Sequence, residues 1–154
     1  MVKALVIASI GWPLFLAAVV WTVAAGHASW WTSAAYAFCS FVCHQIPSRS
    51  FHTAGVQWPV CGRCAGLYLS APVGVVAGAI RGASRLDLAA RVRSARTIAA
   101  IAALPTAVTL ALQWTHIAPG SNLLRAVCAL PLGAAIGFLL VDAAAGPAKS
   151  NRVN

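Results

Sequence analysis

The sequence predicts an all-α membrane protein, a four-transmembrane-helix bundle with a long outer loop between helices 1 and 2. Of its 154 residues, 60% are hydrophobic and only 8% are charged, whereas about 25% of the residues of a soluble domain are charged. Four apolar stretches are each long enough to cross a bilayer. The length allows a single integral membrane domain over residues 1–154.

Each predicted span has about the 20 mostly apolar residues that a bilayer core requires. The first span is longer than the apolar core of a signal peptide, so we expect it to remain as a helix. Every span contains a proline, which membrane helices tolerate when neighbouring groups satisfy the freed carbonyls. The predicted spans cover residues 4–25, 60–80, 97–118 and 123–145.

The distribution of basic residues predicts the orientation. Residues 81–96 contain five arginines, Lys3 precedes the first span, and Lys149 and Arg152 follow the last one. Four spans place these three segments on one side, which the positive-inside rule assigns to the cytoplasm. We therefore expect both termini in the cytoplasm and the protein in the cell (inner) membrane. An amphipathic helix at 81–96 on the inner leaflet is a less favoured alternative to a basic cytoplasmic loop.

Residues able to bind metals or exchange electrons map to the outer half. The predicted outer loop, residues 26–59, is long, and long loops often carry function. All four histidines and all five cysteines lie in this loop or at the outer ends of the spans: His27, Cys39, Cys43, His44, His52, Cys61, Cys64, His116 and Cys128.

The second and fourth spans carry small residues at helical spacing. Four small residues recur every four positions along the second span, and two do so in the fourth: Ser70, Gly74, Gly78 and Gly82, and Gly133 and Gly137. Such faces let helices approach closely in lipid, so we expect the second span at the centre of the bundle.

Four interpretations compete for the cysteines. Cys61 and Cys64 form a CxxC pair that could clamp a metal ion, with Cys43 and His44, or Cys39 and Cys43, completing four ligands. Zinc fits such a set best. Alternatively, Cys61 and Cys64 at a helix N-terminus could be catalytic in thiol–disulfide exchange, passing electrons to a quinone.

The other two interpretations are less favoured. Outer cysteines could form structural disulfides, which an oxidising compartment permits. His27 and His116 could also be axial ligands of a non-covalent haem, although CSFVCH is one residue too long for the usual haem attachment motif.

A longer motif carries a family resemblance. Residues 43–51 read CHQIPSRSF and residues 59–68 read PVCGRCAGLY. They match every fixed position of Cys-His-Gln-x-Pro-x-Arg-Ser-Phe and Pro-x-Cys-x-Arg-Cys-x-Gly-x-Tyr, and so resemble a group of small prokaryotic membrane proteins known only as a domain of unknown function. The resemblance implies a multi-pass membrane protein without an established activity. It favours Cys43, His44, Cys61 and Cys64 as ligands and leaves Cys39 optional.

The remaining polar residues suggest supporting roles. Arg49 and Arg63 could bind an anionic ligand, and Gln45, Ser50 and Tyr68 could orient the metal ligands. We expect Arg125 to extend towards the outer interface and Cys128 to pack as a small apolar residue. His27, His52 and His116 are expected at the interface rather than at a metal.

The leading hypothesis is thus a membrane protein with an outer metal site, with the lipid bilayer and a small anionic or quinone-like ligand as partners. The net charge of +9 reflects basic cytoplasmic segments and does not indicate nucleic acid.

Overall fold

The structure, a computed structural model, describes residues 1–82, 88–117 and 120–145. Four of its helices are long and apolar enough to cross a membrane, which confirms the predicted fold class. Arg85, Lys149 and Arg152, on which the predicted orientation partly depends, lie outside the described residues. The elements are α1 (Val2–Ala24), α2 (Trp30–Ser40), a 3-10 turn (Pro47–Arg49), β1 (Ser50–Thr53), β2 (Val56–Cys61), α3 (Gly62–Arg81), α4 (Leu88–Trp114) and α5 (Asn122–Ala145).

The third membrane helix begins earlier than the sequence predicted. Helix α4 starts at Leu88 and includes Arg91, Arg93 and Arg96, which the prediction placed in the loop 81–96. Alanine and arginine favour helix, and long arginine side chains can extend along the surface while the backbone remains helical. The helix ends at Trp114, and the predicted span end at Ala118 lies outside the described residues.

Helices α3 and α5 run parallel in close contact through the small residues that recur every four positions in both. A Cβ atom at Gly66 or Gly74 would overlap the carbonyl oxygen of Ala126 or Ala134, and one at Gly133 would overlap the Leu67 carbonyl. Each helix therefore presents glycine to the backbone of the other. This contact brings the first turns of both helices together at the same end of the bundle.

Helix α1 packs its second half against this pair. Leu16, Val19 and Val20 are buried, and the Trp12 ring meets the Tyr68 ring of α3 edge-on at 5.9 Å. Leu16 also belongs to an apolar cluster with Cys39, Cys43, Val60 and Ala65. The core therefore extends from the membrane helices into the segment that connects α1 to α3.

We call the end of the bundle at which α3 and α5 begin the cysteine end, and the other the basic end. At the basic end, Asp142 of α5 forms ion pairs with Arg81 of α3 and Arg91 of α4, at 3.4 and 3.2 Å. These pairs tie three helices together. The chain has two acidic residues, and of these only Asp142 lies within the described ranges, since Asp87 falls outside them.

The connecting segment is structured rather than a plain loop. Helix α2 is followed by a two-stranded antiparallel hairpin, in which His52 pairs with Gln57 and Thr53 with Val56. Ala54 and Gly55 form its turn with φ values of 49° and 79°, the left-handed conformations that two-residue hairpin turns require. The hairpin returns the chain directly to Gly62, where α3 begins.

The close contact between α3 and α5 predicts that Gly74→Leu destabilises the bundle. The added side chain must push α5 away from α3, which typically costs about 1–3 kcal/mol or more. Gly11→Leu is the matched control, because a Cβ at Gly11 has nothing within 4 Å. Unfolding in mixed detergent micelles, followed by circular dichroism, measures both. Equal stability of the two variants would contradict the packing described here.

Candidate metal centre

Three cysteine sulfurs converge at the cysteine end. The Sγ atoms of Cys43, Cys61 and Cys64 all lie within 4.8 Å of one another. Cys43 comes from the segment after α2, whereas Cys61 ends β2 and Cys64 lies in the first turn of α3. The hairpin between them brings together residues that are distant in sequence.

The backbone around the three cysteines favours negative charge on sulfur. The N–H of Cys61 donates to Cys43 Sγ at 3.1 Å, and Cys43 is only 5% exposed. Cys61 is the N-cap of α3, so both Cys61 and Cys64 lie at the positive end of the helix dipole. A hydrogen bond from the Cys64 thiol lowers the pKa of Cys61, against the raising effect of burial. Cys61 is therefore the member of this group best suited to be a thiolate.

Gln45 fixes the backbone next to Cys43. Its φ of 47° lies in the left-handed region, and its side-chain amide donates to the carbonyls of Tyr36 and Pro59 at 2.7 and 2.9 Å. The Gln45 carbonyl in turn accepts from Gln57 Nε2 at 2.6 Å. Gln45 thus links α2 to β2.

Ser50 and Tyr68 also contact the surrounding backbone and core. Ser50 is fully buried, donates to the Ile46 carbonyl at 3.0 Å, and accepts from Asn122 of α5 through its own carbonyl at 2.8 Å. The Tyr68 ring packs on Trp12 as described above. Gln45, Ser50 and Tyr68, predicted to orient the ligands, hold the surrounding backbone and core.

The structure separates His44 and Cys39 from the three-cysteine group. His44 is exposed, yet it lines the same cavity as the three cysteines. Cys39 is fully buried in the apolar cluster beside Cys43, and burial raises the pKa of its thiol. Neither belongs to the group of sulfurs within 4.8 Å. Cys128 and the exposed His27, His52 and His116 also lie outside it.

Two arginines of this cavity are held by an amide that the sequence analysis did not select. Gln113 Oε1 of α4 accepts from Arg63 Nη2 at 2.9 Å and from Arg125 Nε at 3.1 Å. Arg125 Nη1 also donates to Asn122 Oδ1 at 2.7 Å. Arg125, expected to extend towards the interface, is instead fixed beside the cysteines. Gln113 and Asn122 could have been selected as rare amides at the ends of apolar spans.

All five cysteines lie in the described part of the chain, and all are free. The structural-disulfide interpretation therefore gains no support from the geometry. Three converging sulfurs could instead hold one metal ion, because thiolates are common zinc ligands.

Four apolar helices with a three-cysteine group at one end define a multi-pass membrane protein with a candidate metal centre. The chain belongs to the family described as "Predicted membrane protein (DUF2085)", whose model matches residues 43–139. This confirms the resemblance seen in the sequence. The match begins at Cys43, so it includes all three clustered cysteines and leaves out Cys39.

Two archaeal relatives share part of the chain. An uncharacterized protein of Methanocaldococcus jannaschii is 46% identical over 41 residues, which cover 27% of this chain and 26% of the relative. An uncharacterized protein of Methanothermobacter thermautotrophicus is 48% identical over 31 residues, 20% of this chain and 28% of the relative. The matched segments thus span about a quarter of each relative's length. No solved structure matches.

The hydrogen bonds of Gln45 predict that Gln45→Ala exposes Cys43. The variant leaves two carbonyls unpaired at a cost of about 1–3 kcal/mol, so the segment should open locally and Cys43 should be alkylated roughly tenfold faster. The alkylation rate is measured by mass spectrometry in the presence of a metal chelator. His52→Ala, at an exposed residue of the adjacent hairpin, is the control and should leave the rate unchanged. An unchanged rate in Gln45→Ala would show that Gln45 does not hold this segment.

Proposed function

We propose that this protein binds one zinc ion at the cysteine end, with Cys43, Cys61 and Cys64 as ligands and His44 as the fourth. The observation that carries the proposal is the convergence of three sulfurs from two separate segments to within 4.8 Å. A structural or a catalytic role for the metal depends on whether His44 closes the fourth position.

The spacing of the sulfurs fits a tetrahedral ion better than it fits a disulfide. Zn–S bonds of about 2.3 Å place the sulfurs of a tetrahedron about 3.8 Å apart, which is within the observed separation. A disulfide would use two of the three sulfurs and leave the third unpaired in a half-buried site. The three-cysteine set therefore supports a metal, and zinc is the usual ion for three cysteines and one histidine.

His44 is favoured over Cys39 as the fourth ligand. The side chain of His44 lines the cavity that the three cysteines also line, and rotation of an exposed side chain costs little. Cys39 is fully buried in the apolar core with Leu16 and Val60, so its use would require repacking. A ligand set that includes Cys43 and His44 would also tie the segment after α2 to the start of α3.

A thiol–disulfide oxidoreductase is the second candidate function. The hydrogen bond from Cys64 that lowers the pKa of Cys61 favours it, because a low-pKa cysteine at a helix N-terminus is typical of such enzymes. A substrate thiolate would attack the Cys61–Cys64 disulfide at Cys61, and a second substrate thiol would displace Cys61, leaving a substrate disulfide and the Cys61 and Cys64 thiols. A quinone would take up the two electrons and two protons, becoming a quinol, and so restore the Cys61–Cys64 disulfide. Structural disulfides alone would be a third outcome.

The metal proposal predicts about one zinc ion per purified chain, as in closed structural sites. Cys43→Ala and Cys64→Ala should each lose the ion on dialysis against a chelator, because each removes a thiolate ligand. Inductively coupled plasma mass spectrometry and a free-thiol titration measure metal and thiols together. Cys128→Ala and Cys39→Ala are matched controls that should retain the ion.

Two results would overturn the metal proposal. One is a protein isolated without metal that has a reducible Cys61–Cys64 disulfide, which would favour the oxidoreductase. The other is unchanged zinc content in Cys64→Ala. Within the metal proposal, His44→Ala tests the fourth ligand by competition with chelators. If the variant loses zinc to a chelator that is too weak to remove it from the native protein, His44 is a ligand. If the two competition curves are the same, His44 is excluded.

We also propose that the cysteine end faces the cell exterior and that both termini are cytoplasmic. Support comes from Lys3, Arg81, Arg91, Arg93 and Arg96, which all belong to helix ends at the basic end, in the pattern of the positive-inside rule. Green fluorescent protein fused to the C-terminus should fluoresce, and alkaline phosphatase fused there should be inactive. The same reporters inserted at Gly55, in the hairpin turn, should give the reverse. Fluorescence of the protein inserted at Gly55 would contradict the proposed topology and support the opposite orientation.

A further inference from the structure

A cavity of about 370 Å³ opens beside the three cysteines. Its lining includes Arg49, Arg63 and Arg125, three guanidinium groups from three different elements. Apolar side chains also line it, among them Leu110 and Trp114 of α4. The cavity therefore combines cationic groups with apolar surface.

The positive charge in this cavity is not neutralised by a described carboxylate. Asp142, the acidic residue within the described ranges, pairs with Arg81 and Arg91 at the basic end. Arg63 and Arg125 share a neutral acceptor, Gln113 Oε1. Because Arg49, Arg63 and Arg125 line one cavity, their like charges repel one another, and a bound anion would be favoured there.

The guanidinium groups also retain unused donors. Each guanidinium has five N–H donors, and the Nε atom of Arg63 is buried without a hydrogen-bond partner. Arg49 is exposed at the mouth of the cavity. Helices α3 and α5 both begin here, with a Cβ at Gly62 placed only 2.7 Å from the Asn122 carbonyl, so two positive helix ends add to the field.

A zinc–thiolate group at the neighbouring cysteines would not supply enough negative charge to balance the three arginines. Three thiolates with one Zn²⁺ carry a net charge of −1, which leaves about +2 for the three arginines together with the metal group. Without metal and with neutral thiols, the arginines contribute +3. An anion of charge about −2 would balance the first case, and a phosphate group approaches this charge with several acceptor oxygens for forked arginine contacts.

We propose that Arg49, Arg63 and Arg125 form a binding site for a phosphate-bearing ligand, whose apolar part lies against Leu110 and Trp114. This proposal rests on the proposed function only because the cavity is adjacent to the proposed zinc ligands. Gln113 and Asn122, rather than the metal, orient Arg63 and Arg125. Trp114 is 72% exposed at the end of its membrane helix, so both a soluble phosphate compound and a lipid headgroup have access.

The test is isothermal titration calorimetry of the zinc-loaded protein in a non-ionic detergent. Inorganic phosphate and dioctanoyl phosphatidic acid are titrated separately, with dioctanoylglycerol as the matched ligand that lacks phosphate. Saturable binding of inorganic phosphate would show that a soluble oxyanion is enough to occupy the site. Binding of phosphatidic acid without binding of inorganic phosphate would show that the ligand is a lipid headgroup. Either result supports the proposal, whereas equal binding of dioctanoylglycerol overturns it.

Three arginine variants make the test specific. Arg49→Gln, Arg63→Gln and Arg125→Gln should each weaken phosphate binding by about tenfold or more, because each removes a charge-assisted hydrogen bond. Arg93→Gln, at the basic end, is the control and should bind as the native protein does. Arg49→Gln is the safest variant for folding, because Arg49 is exposed. Native affinity in both Arg49→Gln and Arg63→Gln would overturn the site.

Zinc content, measured on the same samples, separates this proposal from the metal proposal. Phosphate binding that depends on the arginines in a protein without zinc would support this site while the metal proposal fails. Zinc at about one ion per chain, with no arginine-dependent phosphate binding, would overturn this site alone.

Discussion

The glycine-lined contact between α3 and α5 is the constraint on which the cysteine end depends. Because the helices are parallel and their first turns touch at Gly62 and Asn122, the side chains of both first turns face one small volume. Cys64 and Arg63 come from α3, and Arg125 comes from α5. Larger residues in the contact would separate the helix starts, and with them the groups that line the cavity.

Charge segregation follows from the near absence of carboxylates. The chain has two acidic residues and eleven basic ones, and at the basic end Asp142 compensates two arginines directly. At the cysteine end the described residues include three thiols and no carboxylate. The arginines beside them would attract a negatively charged zinc–thiolate group for the same reason that they would attract an anion. The two proposed ligands are in this sense products of one electrostatic arrangement.

The sequence predicted the membrane helices because each depends on a local property, a run of about 20 apolar residues. The glycine spacing likewise indicated which helices can approach closely, but it did not indicate that α5 is the partner of α3. The hairpin was not predicted, since strands of four and six residues carry little periodicity and depend on contacts such as Gln45 to Pro59. The start of α4 was placed too late, because arginines lower hydropathy without ending a helix.

The candidate site was predictable as a set of residue types and not as a geometry. Cys43, Cys61 and Cys64 stood out by chemistry, and the structure brings these three together. Arg125 did not stand out, because its function arises from Gln113 and Asn122, which lie 12 and 3 residues away in sequence. Amides that orient another side chain have no sequence signature beyond being polar in an apolar span.

The groups of the cysteine end differ in how they are supported, and this determines how they can respond to a ligand. Cys64, Arg63 and Arg125 lie on membrane helices that hold each other along their length. Cys43 instead lies on a segment fastened by the side-chain amides of Gln45 and Gln57 and by the Cys61 N–H. Local opening is less costly for such a segment than for a packed helix. Release of a metal would therefore free Cys43 first and leave Arg63 and Arg125 in place, so these two arginines would keep their positions while the sulfur ligands rearrange.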